Sequence, residues 1–298
     1  MKIAYICYET QAKYTVEEAE NNNLLLFLQQ KGLDICKEVW TDQNADWEKY
    51  EVAILKAPWD YHENISQFYK WLDEISRLQV NLLNPAAIVK WNSDKHYLKN
   101  IAEAGFSVPQ SEFLEKGNQL KLNSYFGQLN TDKLIVKPCI SAGSNNTFAV
   151  MRKDITEVEP MINELLKTGS YIVQPFLEEI QTEGEWSFVF FNSQFSHCLL
   201  KKAGPGDFRV QNHLGGSVHI QLPPSQHLKT AEAIIARFAK ECLYARVDGV
   251  IVNNEFRLME LELIDPYLYL SSHLKSFNNY YHALTKTLTS IRASRLYQ

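Results

Sequence analysis

The sequence predicts an α/β protein whose C-terminal part changes to an α+β arrangement. Residues 1–90 alternate strand-like and helix-like segments, and this alternation favours a parallel sheet with helices on its faces. In the last third, β-rich apolar segments follow one another across short polar turns, which indicates antiparallel hairpins. Hydrophobic residues make up 45% of the 298 residues, which is enough for a packed core.

Local patterns predict the elements of the first region. The predicted strands are KIAYICY, LDICKEVW, EVAILKA and VNLLN. VEEAENNNLLLFLQQKG is predicted to be a helix that ends at Gly32, a residue typical of helix C-termini. ISQFYKWLDEISRL is predicted to be an amphipathic helix, because its large apolar residues recur on one helical face.

The second region begins with a predicted helix, in which Ser93 or Asp94 is the N-cap and Gly105 marks the end. Strands at 134–138 and 148–152, a helix and the strand YIVQPF follow. The last region contains the hairpin EWSFVFFN/QFSHCLLKK, the helix HLKTAEAIIARFAKEC, the hairpin RVDGVIV/FRLMELELI and a closing helix. We therefore predict domain boundaries near residues 90 and 173.

Composition and charge exclude several classes of function. The net charge is −5, and basic residues are interspersed with acidic ones, unlike the clustered positive surface of a nucleic-acid-binding protein. No apolar run is long enough to span a bilayer, and no secretory signal pattern precedes the first predicted strand. The five scattered cysteines are typical of reduced core residues. We expect a cytoplasmic protein with no nucleic-acid or membrane partner.

Lys137 ends a predicted buried strand and precedes a loop of small polar residues at 141–147. An unpaired buried charge is costly, so this lysine needs a partner. Backbone N–H groups of such a loop can surround phosphate groups, and a lysine would add a point charge to them. A polar hairpin with Lys137 at the surface explains the pattern equally well. Neither GxxxxGK[ST] nor GxGxxG is present.

Three carboxylates fall on two neighbouring predicted strands. Glu260 and Glu262 are two residues apart on one strand and therefore point to the same face. A three-residue loop at 253–255 would place Asp248 opposite Glu260. Carboxylates this close repel one another unless a cation lies among them, and an oxygen-only set suits Mg²⁺. The alternative is a solvated acidic face, and the apolar neighbours argue against it.

These segments together resemble those of ATP-grasp ligases over nearly the whole chain. The matching segments are WNSDKHYLKNIAEAGFSVP, IVKPCISAGSNNT, VQPFLEEIQTEGEWS, KKAGPGDFRVQNHLGG, ARVDG and LMELELID. Each is weakly specific alone, but their joint order and spacing are specific. The combination of APWDY, WNSDK, QPFLEEI, GEWSFVFF and GDFRVQ is most similar to the glutathione-synthetase-like and glutamate-ligase-like branch, which includes the O-ureido-serine cyclo-ligase of cycloserine biosynthesis.

The resemblance implies an ATP-grasp fold with a substrate domain at 1–90 and two α+β subdomains at 91–173 and 174–298 that grip ATP between them. The residues it assigns to nucleotide binding are Lys95, Lys137, Ser141, Gly143, Gln174, Phe176, Leu177 and Glu185. In this assignment the lysines hold the phosphates, residues 174–177 contact adenine and Glu185 holds the ribose hydroxyls. The assigned metal ligands are Asp248, Glu260 and Glu262. Arg209 is the assigned catalytic arginine.

The implied reaction is ATP-dependent ligation of a carboxylate to an amine or related nucleophile through an acyl phosphate. The implied cofactor is Mg²⁺, one or two ions, with Mn²⁺ as a substitute. Either Lys201 or Lys202 would assist Arg209, since strand alternation lets only one face the site, and we assign Lys202. The substrates would be small amino-acid-like molecules, and a homodimer is compatible with the family. Ligation to a peptide or protein tail and non-catalytic ATP binding remain alternatives.

Several positions depart from the family pattern or allow two interpretations. Ser144 stands in the phosphate loop where a second glycine is common, Glu262 stands where many relatives have Asn, and Asp265 and Tyr267 differ from close relatives. The segment at 59–61, Trp-Asp-Tyr, follows a parallel strand where ligands commonly bind. It also suits core packing with its aspartate as the cap of the next helix, and we favour that interpretation.

Overall fold

The computed structural model of the chain describes residues 1–9, 16–143, 145–204 and 216–295. The strands are β1 (Ile3–Cys7), β2 (Ile35–Val39), β3 (Val52–Ala57), β4 (Asn81–Leu83), β5 (Glu112–Leu114), β6 (Lys133–Pro138), β7 (Phe148–Met151), β8 (Tyr171–Pro175), β9 (Glu185–Phe191), β10 (Gln194–Lys202), β11 (Ser217–Ile220), β12 (Tyr244–Val252) and β13 (Glu255–Glu262). The α-helices are α1 (Val16–Gln30), α2 (Ile65–Arg77), α3 (Ala86–Asn92), α4 (Tyr97–Glu103), α5 (Leu122–Gln128), α6 (Ile155–Leu165), α7 (Glu179–Thr182), α8 (Ser225–Phe238) and α9 (Ser276–Arg295). The predicted α/β and α+β class is confirmed.

The first sheet is parallel, with the strand order β2-β1-β3-β4. Every residue of β1 and β3 is buried, as expected for central strands that are covered on both faces. On one face of the sheet, Leu24 and Leu28 of α1 share an apolar cluster with Ile54. On the other face, Phe68 and Leu72 of α2 share an apolar cluster with Leu55.

The second sheet is antiparallel, with the order β5-β8-β6-β7. Leu134 and Val136 of β6 are fully buried in a cluster with Phe126 of α5 and Ile162 of α6. Because side chains alternate along a strand, Lys137 lies on the opposite face of β6, away from these helices. This face is directed toward the third sheet.

The third sheet has the order β11-β10-β9-β12-β13, and its strand pairs are antiparallel. One face is apolar and shares a cluster with Ile234 and Ile235 of α8. The other face is apolar only at one end, where Val189, Leu199 and Tyr244 lie in the cluster that includes α1 and α9. At its other end this face carries charged residues.

Two hairpins of this sheet contain a bulge that changes which residues face each other. β12 and β13 are joined by two residues, Asn253 and Asn254, both with positive φ, and not by the predicted three-residue loop. A regular ladder from that turn would pair Asp248 with Met259. A bulge skips Met259, so Asp248 pairs with Glu260. The predicted pairing is therefore present, but the bulge and not the loop length produces it.

The bulge between β12 and β13 depends on Gly249. A Cβ atom at this position would lie 2.5 Å from the carbonyl oxygen of Arg257 and 2.4 Å from a ring carbon of Phe256. These distances are shorter than van der Waals contact, so the local close approach of the two strands requires glycine.

The predicted helix over 93–105 is divided in the structure. α3 ends at Asn92 and α4 begins at Tyr97, with His96 as its N-cap, so neither Ser93 nor Asp94 caps it. Lys95 lies in the connection, and its N–H donates to the carbonyl of Cys139, 2.8 Å away. This bond fixes the connection beside the end of β6.

The outer edge of β13 is covered by groups that precede the second sheet. Asn92 bonds the carbonyl of Leu261 at 2.7 Å and the N–H of Leu263 at 3.1 Å, and the Tyr97 hydroxyl accepts from the Leu261 N–H. These contacts hold β13, the strand that carries Glu260 and Glu262, in place and provide hydrogen-bond partners for the backbone groups of its edge. No helix in the described ranges is long and apolar enough to cross a membrane.

Candidate active site

The charged end of the third sheet brings the three predicted metal ligands onto one face. Asp248 is buried, whereas the side chains of Glu260 and Glu262 are 35% and 26% exposed. Burial raises the pKa of Glu262 to about 8, even though Arg246 acts in the opposite direction. Burial also acts to raise the pKa of Asp248, but Arg246 and Lys201 outweigh it and hold the value at about 2.

Arg246 is the central cation of this face, and it is not among the site residues predicted from the sequence. Its Nη2 donates to Asp248 at 2.8 Å and also to Glu262, and its Nε donates to both oxygens of Asp248 at 3.0 Å. The guanidinium group therefore separates the carboxylates of Asp248 and Glu262. The alternation in Arg-Val-Asp places the first and third residues on one face of β12, a signal that could have identified this arginine.

Lys201, and not the assigned Lys202, lies on the carboxylate face. Its ammonium group is 2.5 Å from Glu185 and 3.4 Å from Asp248, whereas Lys202 is exposed. A bulge at Ser196 is the cause, because a regular hairpin would place Lys202 on the same face as Glu185, whereas the bulge pairs Lys201 with Glu185. The assignment of Lys202 to the site is therefore wrong, because its side chain lies on the exposed face of β10 and that of Lys201 lies on the carboxylate face.

Lys95 and Lys137 reach this face from the second sheet and its preceding connection. The Lys95 ammonium lies 3.4 Å from Glu260 and 3.2 Å from the Ser141 hydroxyl. Lys137 forms neither an ion pair nor a hydrogen bond through its ammonium group with any described residue. Burial lowers the pKa of Lys137, and the nearby Lys95 adds to this effect although Glu260 opposes it.

Gly143 of the predicted phosphate loop approaches the N-terminal region. Its φ is +63°, and a Cβ atom there would lie 3.8 Å from the ring of Trp59. Trp59 is 42% exposed at the carboxyl end of β3. Ser144 and the predicted catalytic Arg209 lie outside the described residues.

The predicted adenine hinge lies at the end of β8. Gln174, Phe176 and Leu177 are buried, and Phe176 lies under the Lys133 ammonium, 3.5 Å from the ring centroid. The Gln174 amide nitrogen donates to Ser111 at 2.8 Å, while its buried Oε1 has no hydrogen-bond partner among the described residues. A buried acceptor without a donor is costly, so this oxygen is available to a ligand.

The interpretation in which Asp60 caps the next helix is wrong. Asp60 accepts a hydrogen bond from the indole nitrogen of Trp40 at 2.6 Å, and Asn64 caps α2 by accepting from the Gln67 N–H at 3.2 Å. Tyr61 is buried among apolar residues, as core packing predicts, but Trp59 is 42% exposed, so this part of the interpretation is wrong for the tryptophan.

The described residues contain one group whose possible metal-ligating atoms already lie within 4.8 Å of one another, formed by Asp94, His96 and Cys139. Asp94 accepts the His96 N–H at 2.9 Å and contacts its imidazole ring, which is a local bond at the start of a helix. Burial raises the pKa of the Cys139 thiol to about 12, so this thiol is a poor metal ligand at neutral pH. We therefore interpret the group as structural.

The residues present fit a phosphate-bearing ligand and a hard divalent cation. Lys137 offers an ammonium group without an anionic partner in the described part of the chain, and the Gln174 carbonyl is an open acceptor. Asp248, Glu260 and Glu262 offer only oxygen atoms, as Mg²⁺ prefers. In the structure these oxygens are neutralised by Arg246, Lys201 and Lys95.

Comparison with known proteins gives matches in sequence and in structure. Residues 3–84 match the family model of the N-terminal domain of D-cycloserine synthetase DcsG. The cycloserine biosynthesis protein DcsG of Streptomyces lavendulae is 25% identical over 174 residues, which is 57% of this chain. This alignment also spans 57% of that relative's own length.

Solved structures match over almost the whole chain. The crystal structure of D-cycloserine synthetase DcsG has a TM-score of 0.85 and 22% identity, covering 97% of this chain and 100% of that one. D-alanine–D-alanine ligase from Bacillus anthracis has a TM-score of 0.76 and 17% identity, covering 99% of both chains. A RimK domain ATP-grasp protein from Sphaerobacter thermophilus has a TM-score of 0.68 and 12% identity, covering 94% of this chain and 97% of that one. The chain has the ATP-grasp fold, and its predicted resemblance to the ATP-grasp ligases, D-cycloserine synthetase DcsG among them, is confirmed.

Proposed function

We propose that the protein is an ADP-forming ligase that joins the carboxylate of a small amino-acid-like substrate to an amine or related nucleophile through an acyl phosphate. The observation that carries this proposal is the meeting of Lys95, Lys137 and Glu260 at one cleft. These residues come from two different sheets and the connection before one of them, and Lys95 lies 3.4 Å from Glu260. Two cations beside a carboxylate face are suited to bind a metal–nucleotide complex.

The two lysines and the loop after β6 would hold the nucleotide phosphates. The Lys137 ammonium forms no ion pair or hydrogen bond with a described residue, so its charge is available to a phosphate. Ser141 and Gly143 would cover the phosphates with a hydroxyl and main-chain N–H groups. Gln174, Phe176 and Leu177 would enclose the adenine, and Glu185 would accept from the ribose hydroxyls.

Asp248, Glu260 and Glu262 would hold Mg²⁺, with Mn²⁺ able to replace it. When bound, the cation would neutralise charge on the phosphate oxygens of ATP. The protonated state of Glu262 favoured by its raised pKa in the structure would give way to the carboxylate, because a cation stabilises the charged form.

The chain's other cations would stabilise the transferring phosphoryl group. Arg246 and Lys201 are fixed by carboxylates on the same sheet face, so their charges are oriented before the substrate binds. Arg209 retains its predicted role at the acyl phosphate. The acceptor would bind beside the carboxyl ends of β1 and β3, where a parallel sheet commonly binds ligands and where Trp59 approaches Gly143.

ADP release against a panel of amino acids, dipeptides, and ureido and hydroxy amino acids tests the proposal. We expect Mg²⁺-dependent ADP formation with at least one substrate, and loss of about 10³-fold or more of this rate in Glu260→Gln, because it removes a carboxylate at the reacting phosphates. Glu255→Gln is the matched control, since Glu255 lies exposed on the same strand. Equal activity of the two variants, or no ADP formation with any substrate in the panel, would refute the proposal.

A further inference from the structure

The segment 265–270, which follows the carboxylate strand, is here named the tether loop. Its main-chain groups are bound by side chains from distant parts of the molecule. Lys56 donates to the carbonyl of Pro266 at 3.0 Å, Arg246 donates to the carbonyl of Tyr267 at 2.8 Å, and His197 contacts the carbonyl of Leu268 at 2.9 Å. Buried irregular backbone needs such partners, so the positions of these side chains and of the loop depend on one another.

Glu20 of α1 makes two further bonds to the tether loop. Its carboxylate oxygens accept the N–H groups of Leu268 and Leu270 at 2.7 Å and 2.6 Å, and the residue is 3% exposed. Charged acceptors make shorter and stronger hydrogen bonds to backbone donors than neutral acceptors do. The first helix of the chain therefore fixes a loop that lies about 250 residues later.

Lys56 supplies the positive charge beside Glu20. It is 1% exposed at the end of β3, and its ammonium group lies 3.8 Å from the carboxylate of Asp265. Burial raises the pKa of Glu20, and the charge of Lys56 is the largest influence that opposes this rise. Glu20 and Lys56 thus form one charged group of the N-terminal region that contacts both ends of the tether loop.

The bond from Arg246 to Tyr267 differs from the other bonds of this guanidinium. The others go to Asp248 and Glu262, which are carboxylates at the proposed cation site. A carboxylate that neutralises a metal ion interacts more weakly with a neighbouring arginine, because its charge is shared. The Tyr267 carbonyl is an uncharged acceptor outside that competition, and the residues on either side of it, Pro266 and Leu268, are bonded by Lys56 and Glu20.

We infer that Glu20, together with Lys56, positions the guanidinium group of Arg246 by holding the tether loop. Glu20 is thus a positioning residue that acts through the loop and does not touch substrate. The inference rests on the proposed function and deepens it, because the catalytic importance of Arg246 depends on that function. In this arrangement the N-terminal region contributes both the acceptor site and the orientation of a cation on the third sheet.

Arginine side-chain NMR tests the inference without turnover. The Nε–H signal of Arg246 is assigned by its loss in Arg246→Lys and then compared in Glu20→Gln. We expect this signal to shift or broaden, because the carboxamide of Gln can accept only one of the two backbone N–H groups and directs its own N–H groups at the other. Lys56→Met, which removes the bond to Pro266, should affect the same signal. It replaces Glu20→Gln as the test variant if Glu20→Gln does not fold.

Glu51→Gln is the matched control for the N-terminal region. Glu51 also joins this region to a distant helix, since its carboxylate accepts from Arg295 at 2.9 Å, but it is 41% exposed and has no bond to the tether loop. The Arg246 signal should be unchanged in this variant. An unchanged Arg246 signal in folded Glu20→Gln and Lys56→Met would overturn the inference, whether or not the protein forms ADP.

A double-mutant cycle on ADP formation provides the second measurement. Glu20→Gln should lower kcat about 10-fold or more, with the Kd for ADP changed less than about 2-fold, since nucleotide contacts are retained. In the Arg246→Lys background the same substitution should have less than about 2-fold further effect, because Glu20 acts through Arg246. An equal loss of kcat in both backgrounds would identify Glu20 as a general structural residue and refute the inference.

Discussion

The charged face of the third sheet and the lysine-bearing face of the second sheet border the same cleft, but their charges are neutralised to different extents. On the third sheet, Arg246 and Lys201 are buried and each is bonded to carboxylates. On the second sheet, Lys137 is half-buried and its ammonium has no ion pair or hydrogen bond within the described ranges. One face is neutralised by its own residues, and the other has a positive charge that a ligand can use.

This difference predicts which substitutions change the stability of the fold and which change the affinity for a ligand. Removing one member of a buried ion pair leaves its partner charged and desolvated, so such substitutions reduce the stability of the fold. Removing a cation whose pKa is already lowered by burial reduces the free energy of unfolding little, because its charged form was unfavourable in the folded state. Substitutions on the third sheet should therefore act on folding, and those at Lys137 should act on nucleotide affinity.

The largest effect on stability should come from Lys201→Met. The substitution leaves Glu185 without its cation and removes one of the two that neutralise Asp248, so we expect unfolding to become easier by about 3–5 kcal/mol in chemical denaturation. Lys202→Met, on the exposed side of the same strand, should change stability by less than about 0.5 kcal/mol. Similar stabilities of the two variants would show that Lys201 is not the paired lysine.

An intermediate effect, this time on binding, is expected for Lys137→Met. Loss of one charge-assisted hydrogen bond to a phosphate should weaken ATP binding by about 1.5–3 kcal/mol, or roughly 10- to 150-fold in Kd measured by calorimetry. The free energy of unfolding without nucleotide should stay within about 1 kcal/mol of the wild type. Loss of stability with unchanged ATP affinity would reverse the proposed contrast between the two faces.

The smallest effect should come from Asp265→Asn and should depend on pH. Burial raises the pKa of Asp265 from 3.8 to about 7, so the folded protein favours the protonated acid more than the unfolded chain does. The stability associated with this group is fully present below about pH 4 and is lost as pH rises through about 7. Between pH 4 and pH 5.5, wild type should lose about 1–2 kcal/mol more stability than Asp265→Asn, because each pH unit between the unfolded and folded pKa values costs about 1.4 kcal/mol. Parallel stability curves for the two proteins over this range would contradict the assignment.

The sequence by itself determined the class of fold and the composition of the cleft. Strand alternation predicted that Glu260 and Glu262 share a face, and the structure has them on one side of β13. The order of the motifs identified the ATP-grasp resemblance, which the comparisons confirm. These features depend on neighbouring residues or on motif spacing, and both can be seen without coordinates.

Only the tertiary structure decided which charges meet. Single-residue bulges at Ser196 and Met259 select Lys201 over Lys202 and bring Asp248 opposite Glu260, because each bulge moves the following residues to the other face. Gly249 inside β12 is a weak sequence signal for the second bulge, and the sequence shows no comparable signal for the first. The bonds from Glu20 to Leu268 and Leu270 join residues about 250 positions apart. Such contacts arise from the packing of the N-terminal sheet against the third sheet, which no local pattern encodes.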